Sequence, residues 1–182
     1  LVQQLSKQGH NVYATYNKTV TNSLSVNVKY NHLDVTGNDL DVSYLPDRID
    51  GLVYCPGSIN LLPFHRIKPN DFIDDYKLQV IGVIKVLQQV LSRLKKSENP
   101  SVVLFSTVAV QTGFNFHSQV AASKGAIEGL TKSLAAEWAP KIRVNAIAPS
   151  ITDTPLAAKF LSSEDKIKAN ADRHPLKKIG SA

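Results

Sequence analysis

Apolar positions along the chain alternate between two periods. "LVQQLSKQGHNV" at the start has the spacing of a helix already under way, ended at Gly9 as a C-terminal cap would end it. "NVYATY" (11–16) and "VNVKYNHLDV" (26–35) are β-rich runs, the second with partial alternation, and predict strands. "GLVYCPG" (51–57) and "SVVLFST" (101–107) are more continuously apolar, which suits parallel strands covered on both faces. Between them, about 70–96, Val80, Val83, Ile84, Leu87, Leu91 and Leu94 recur every three or four residues, and Ile81, Val86 and Val90 widen that face into a mostly buried helix. A further helix is predicted over 118–138 with Ile127, Leu130, Leu134 and Trp138 on one stripe, then a strand in "IRVNAIAP" (142–149) stopped by Pro149. Residues 150–174 predict one or two helices beyond the last strand, and "HPLKKIGSA" shows no closing element.

Strand, helix and strand in alternation predict an open α/β sheet with right-handed crossovers. No repeat, low-complexity segment or linker divides the 182 residues, so one domain over 1–182 is expected. The formal charge of +6 is scattered. Its densest cluster, "RLKK" at 93–96, ends a helix, where it reads as a solvated face or a complement to the helix dipole rather than a nucleic-acid site. One cysteine, Cys55, excludes an internal disulfide framework and fits a reducing compartment. No apolar run approaches the roughly eighteen residues of a membrane helix, and no signal peptide is visible. The expectation is a cytoplasmic protein with no membrane and no nucleic-acid partner, and with no metal site.

Three stretches then carry a resemblance: "AASKGAIEGLTKSLAAEWAPKIRVNAIAPSITDTPLA" (121–157), "LDVT" (33–36) and "GLVYCPG" (51–57). Together they resemble the short-chain dehydrogenase/reductase family along nearly the whole chain. The resemblance implies a Rossmann-type doubly wound parallel sheet with helices on both faces, and hydride transfer between a nicotinamide dinucleotide and an alcohol or carbonyl. In that family the sheet begins with a strand and a glycine-rich turn for the pyrophosphate, neither of which is found from Leu1 onward. The sheet is therefore expected to lack its first and last strands in this chain, and the natural protein to extend past both ends. Without the first strand, "NVYATY" and "GLVYCPG" would be left with open ladder edges.

The family's active site combines Asn, Ser, Tyr and Lys, with Tyr as acid/base and Lys lowering its pKa and holding the ribose. Carried over residue by residue, Lys124 takes the lysine position and Val120, four residues earlier, stands where the tyrosine should be. The serine position falls on Thr107, with Ser106 beside it, and the asparagine position on Gln79, three residues before Gly82. His117, at the start of the lysine helix where Ser118 reads as the N-cap, is a conceivable substitute acid, and Tyr76 a weaker one. Cys55 itself reads more readily as a buried small hydrophobe than as a reactive thiol.

For the dinucleotide, the resemblance implies that Asp34 and Val35 line the adenine and that Cys55, Pro56 and Gly57 replace the stretch beside the adenosine ribose. Pro149 opens the segment in which Thr152 and Thr154 match positions for the nicotinamide carboxamide. No acid follows "NVYATY" to pair with the ribose hydroxyls of NAD, whereas Lys18 is placed for a 2′-phosphate, which favours NADP over NAD. Two functions stay open: an NAD(P)-dependent oxidoreductase acting on a small carbonyl or hydroxyl substrate with an unusual proton-transfer group, or a catalytically silent subunit of the same fold. The family's habit of pairing its long helices implies a homodimer or homotetramer.

Overall fold

The computed structural model describes residues 1–20 and 25–182. Helix α1 (Val2–Lys7) ends as its glycine predicts: Gly9 takes φ +84°, and the Gly9 and His10 amides turn back to the carbonyls of Ser6 and Leu5. Strand β1 (Val12–Tyr16) pairs in parallel with β2 (Val28–His32). β2 is shorter than the alternation suggests. The Asp34 carboxylate accepts from the Thr36 amide and hydroxyl, bending the backbone out of the ladder.

A second sheet holds β3 (Gly51–Val53), β4 (Ser101–Phe105) and β5 (Arg143–Ile147) in that spatial order, all parallel. β3 keeps only three residues of its apolar run. After the Tyr54 amide reaches Val103 the chain turns away, and Pro56 has no N–H to continue the ladder. Among the described residues β1 and β3 are not hydrogen-bonded to each other, so the sheet is interrupted where the open edges were expected.

The single long helix predicted over 70–96 is three pieces: α2 (Pro69–Tyr76), a π-helical turn (Lys77–Ile81) and α3 (Gly82–Leu94). The wider turn shifts the helical frame by part of a residue's rotation, which is why Ile81, assigned to the buried face from spacing, is exposed while Gln79 and Val80, at the turn's centre and just after it, are buried. Val80, Val83, Val86, Leu87, Val90 and Leu94 pack with Val102 and Leu104 of β4, Val144 of β5 and Ile127 of α5 (Ser118–Trp138), forming one core. Fully burying each such aliphatic side chain stabilises the fold by about 1.5–3 kcal/mol. A short α4 (Ala109–Thr112) leads into α5, whose N-cap position falls on His117; Ser118 is the first helical residue, its buried hydroxyl without a partner among the described residues.

Arg93 does more than face solvent: its guanidinium donates to the Val42 carbonyl at 2.7 Å, and the Ile49 amide donates to the Arg93 carbonyl, strapping the 38–49 loop to α3. Beyond β5 the chain forms β6 (Thr152–Asp153), a 3₁₀ helix (Pro155–Phe160) and α6 (Glu164–Ala171). The final residues do close: β7 (Gly180–Ser181) pairs in parallel with β6. A two-residue strand has no hydrophobic period to read. No helix is long and apolar enough to cross a membrane among the described residues.

Candidate functional site

In an open parallel sheet, ligands bind outside the carboxyl ends of the strands. Those ends deliver most of the residues singled out in the sequence: Lys18 after β1, Asp34 and Val35 after β2, Cys55 to Gly57 after β3, Thr107 after β4 and Pro149 after β5. The Ser106 amide donates to the Ile147 carbonyl and the Val108 amide to that of Pro149, so the segments carrying Thr107 and Pro149 run side by side.

The tightest grouping surrounds Gly57. A Cβ placed there would lie 3.5 Å from Gln79 Oε1 and 3.9 Å from Lys124 Nζ, so the glycine, the amide and the ammonium converge on one spot. Gln79 is 1% exposed, and its Oε1 is buried without a hydrogen-bond partner among the described residues. Such an acceptor is costly unless something donates to it. Among the described residues Lys124 Nζ is in no hydrogen bond or ion pair, and burial pulls its pKa below the usual lysine value, opposed by the charges of Asp75 and Cys55.

Three further residues, not read from the sequence, complete this grouping. Asp75, 5% exposed, accepts from Ser58 Oγ at 2.5 Å, from Gln79 Nε2 at 2.7 and 2.8 Å, and from Ser123 Oγ at 2.6 Å. Fixing Nε2 on the carboxylate fixes the amide, which leaves Oε1 facing Gly57. The signal was available: Asp75 and Gln79 are four apart, a polar pair in line with an apolar helical face, and i, i+4 residues meet.

The remaining candidates are distributed as follows. Thr107 is half-buried, and its Oγ1 accepts from the Ala109 amide at 3.3 Å, opening α4. Ser106 is buried and committed to Glu128 Oε1 at 2.6 Å. Val120 is buried at 5% exposure and brings no polar atom. His117 Nδ1 lies 2.8 Å from the Asn115 carbonyl, with its ring edge-on to Phe114. Tyr76 is exposed.

On the dinucleotide side, Val35 is a core residue at 4% exposure, pressed against the Gly82 backbone, so its side chain is turned inward. Asp34 is held by Thr36, and those hydrogen bonds keep its carboxyl below the ordinary aspartate range. Lys18 is exposed. Cys55 is exposed rather than buried, and partial desolvation of its thiol raises its pKa. Pro56 is half-buried beside it. The hydroxyls of Thr152 and Thr154 donate to the carbonyls of Ser150 and Thr152 at 3.1 and 3.3 Å, shaping the turn after Pro149.

A ribose offers hydroxyls that both donate and accept. Lys124 supplies donors and Gln79 Oε1 an unmet acceptor at a glycine that lets a ligand approach the backbone, so these residues fit a dinucleotide's sugar.

A family model described as enoyl-(acyl carrier protein) reductase matches residues 1–182. L-xylulose reductase of Bos taurus is 35% identical over 130 residues, covering 70% of this chain and 53% of that protein. The 3-oxoacyl-(acyl-carrier-protein) reductase FabG of Thermotoga maritima is 35% identical over 135 residues, covering 73% of this chain and 54% of that protein. The chain thus spans about half the length of the curated relatives it matches. Among solved structures, ElxO with NADP bound has a TM-score of 0.85 at 25% identity, covering 98% of this chain and 79% of that one.

Proposed function

The chain belongs to the short-chain dehydrogenase/reductase family, and from that premise we propose that it binds a nicotinamide dinucleotide and serves hydride exchange with a small carbonyl or hydroxyl compound. The carrying observation is the couple at Gly57: an ammonium and a buried amide oxygen, each without a hydrogen-bond partner among the described residues, both within 4 Å of one Cβ position. When bound, the dinucleotide supplies or takes up the hydride. The protein's part is to hold and orient. Lys124 and Gln79 grip the ribose, and the backbone at Gly57 allows close approach. Asp34 and the Val35 backbone flank the adenine, Pro56 and Cys55 floor the adenosine side, and the Pro149 turn with Thr152 and Thr154 receives the carboxamide. Thr107 orients the substrate oxygen.

NADP is favoured over NAD, because β1 is followed by Asn17 and the exposed Lys18 and by no acid, and because the similar ElxO structure has NADP bound. Val120 cannot deliver a proton, and Ser106 is occupied by Glu128. The proton then comes from the Lys124 ammonium through a bridging water, which gives one proton to the substrate oxygen and takes one from Lys124, the neutral amine being reprotonated from solvent; this is a weaker arrangement than a tyrosine. One observation favours a second reading, a catalytically silent dinucleotide-binding subunit: the buried aliphatic Val120 at the acid position. Homodimers or homotetramers through α3 and α5 accompany either reading and are measured by light scattering.

The test is a fluorescence titration of the full-length protein with NADPH and NADH, followed by a screen of small carbonyl compounds for loss of nicotinamide absorbance. Binding with turnover that Lys124→Ala abolishes supports the oxidoreductase. Binding without turnover across the screen supports the silent subunit, and failure to bind either dinucleotide defeats both.

A further inference from the structure

Asp75 is out of place on electrostatic grounds. A buried carboxylate is costly unless its charge is met, and a site for an anionic dinucleotide would be expected to repel it. Its three donors, Ser58, Gln79 and Ser123, are all neutral, and among the described residues it is in no ion pair. The cation beside this network is Lys124. Ser123 precedes Lys124 in sequence, and Gln79, anchored on Asp75 by Nε2, presents Oε1 on the side of Gly57 where Lys124 Nζ lies.

We propose that Asp75 is the counter-charge of Lys124, a positioning residue that keeps the lysine an ammonium in a place whose dryness works against the charge. The purpose of that charge, holding a dinucleotide, rests on the function proposed above; the pairing itself is a property of the chain. Desolvation pulls Lys124 down, Asp75 is the strongest influence in the other direction, and Cys55 follows. Other charged groups on elements packed against α5 are engaged elsewhere. Asp71 accepts from the Lys68 amide, Asp74 pairs with Lys77, and Arg143 donates to Asn99. On α5 itself, Glu128 accepts from Ser106, while Lys132 and Glu137 are exposed about two turns or more further on.

In the family, the lysine acts on a tyrosine one helical turn away. With Val120 in that place, the helix brings no phenolic oxygen to that position, and the carboxylate on α2 supplies the missing negative partner. Gln79 links the two regions, its nitrogen on the Asp75 carboxylate and its oxygen, like Lys124 Nζ, within 4 Å of the Cβ position at Gly57.

The test uses full-length protein labelled with ¹³C-lysine, the Lys124 signal being assigned by its loss in Lys124→Arg, and reads its NMR titration midpoint directly. In Asp75→Asn the midpoint falls by about one pH unit or more, since an opposite charge at close range favours the charged form by that amount. In Asp75→Glu, which restores the charge, it returns towards the wild-type value. In Ser123→Ala, which removes a donor but no charge, it stays in place. NADPH affinity of Asp75→Asn, titrated by fluorescence, weakens about tenfold relative to its own low-pH value one pH unit above the variant's midpoint, where about a tenth of the lysine is protonated, and the wild type shows the same fall at correspondingly higher pH.

An unmoved midpoint in folded Asp75→Asn overturns the proposal, as does an equal movement in Ser123→Ala, which would assign the effect to the hydrogen-bond network. Should Asp75→Asn lose its fold, Asp75→Ser, which removes the charge and keeps a hydroxyl for the network, carries the same comparison. NADPH that fails to bind the wild type at every pH defeats the dinucleotide reading, while the NMR midpoint still decides the pairing.

Discussion

Gly82→Ala is the sharpest probe of how the site's scaffold is packed. A methyl on Gly82 would sit 2.3 Å from Tyr54 Oη and 3.1 and 3.2 Å from Val35 Cγ2 and Cβ. Neither neighbour can simply swing away: Tyr54 is 6% exposed with its hydroxyl donating to the Leu78 carbonyl at 2.6 Å, and Val35 is 4% exposed. Overpacking of this kind costs about 1–3 kcal/mol, and displacing the Tyr54 hydroxyl from Leu78 adds about 1 kcal/mol. Replacing glycine by alanine in a helix returns about 1 kcal/mol. The net expectation is a loss of about 2 kcal/mol, read from urea unfolding by the fluorescence of Trp138, the only tryptophan. Because the closest clash is with the hydroxyl, Tyr54→Phe should partly rescue Gly82→Ala although it is destabilising alone, giving a coupling of about 1 kcal/mol in the double-mutant cycle. Strict additivity, or a Gly82→Ala protein as stable as wild type, would refute this account of the packing.

Three further outcomes are expected. Val120→Tyr restores an acid one helical turn from Lys124, and carbonyl turnover should rise by on the order of a hundredfold; a folded, NADPH-binding variant without gain contradicts the assignment of the deficit to proton supply. NADPH affinity should fall as pH rises through the Lys124 midpoint, because the ammonium is the binding form and desolvation places that midpoint below the usual 10.5; affinity that holds until ordinary lysines titrate removes Lys124 from the ribose. Ser106→Ala strips Glu128 of its donor and should cost about 1–2 kcal/mol in urea unfolding without changing dinucleotide affinity.

Elements with a long apolar period were legible in the sequence, and the lysine helix 118–138 has the bounds its stripe predicts. What failed had no period to read. The π turn is invisible to a pattern of threes and fours, so Ile81 was assigned to the core. β3 stopped short because hydrogen-bond supply at Pro56 overrides hydrophobicity, and β7 is too brief to carry any alternation. At the site, Lys124, Gln79 and Gly57 were found by motif and do converge. Asp75 was missed because an aspartate beside an apolar helical stripe reads as solvent-facing, whereas here, in the last turn of α2, the fold turns it inward to three donors.

The π turn at Lys77–Ile81 has a consequence for how this segment tolerates changes of length. Each residue of an α-helix advances the face by about 100°. The wider turn takes up one surplus residue, so α2 and α3 meet with their faces aligned about as a continuous α-helix one residue shorter would align them. Deleting the exposed Lys77 and relaxing the turn to α geometry would therefore keep both the core contacts of α3 and the direction of the Asp75 carboxylate. Keeping every residue and imposing α geometry would instead swing α2 by about one residue's rotation and carry Asp75 off its donors. The surplus peptide unit thus works as slack in a continuous rod, tolerant of a one-residue deletion and intolerant of tightening.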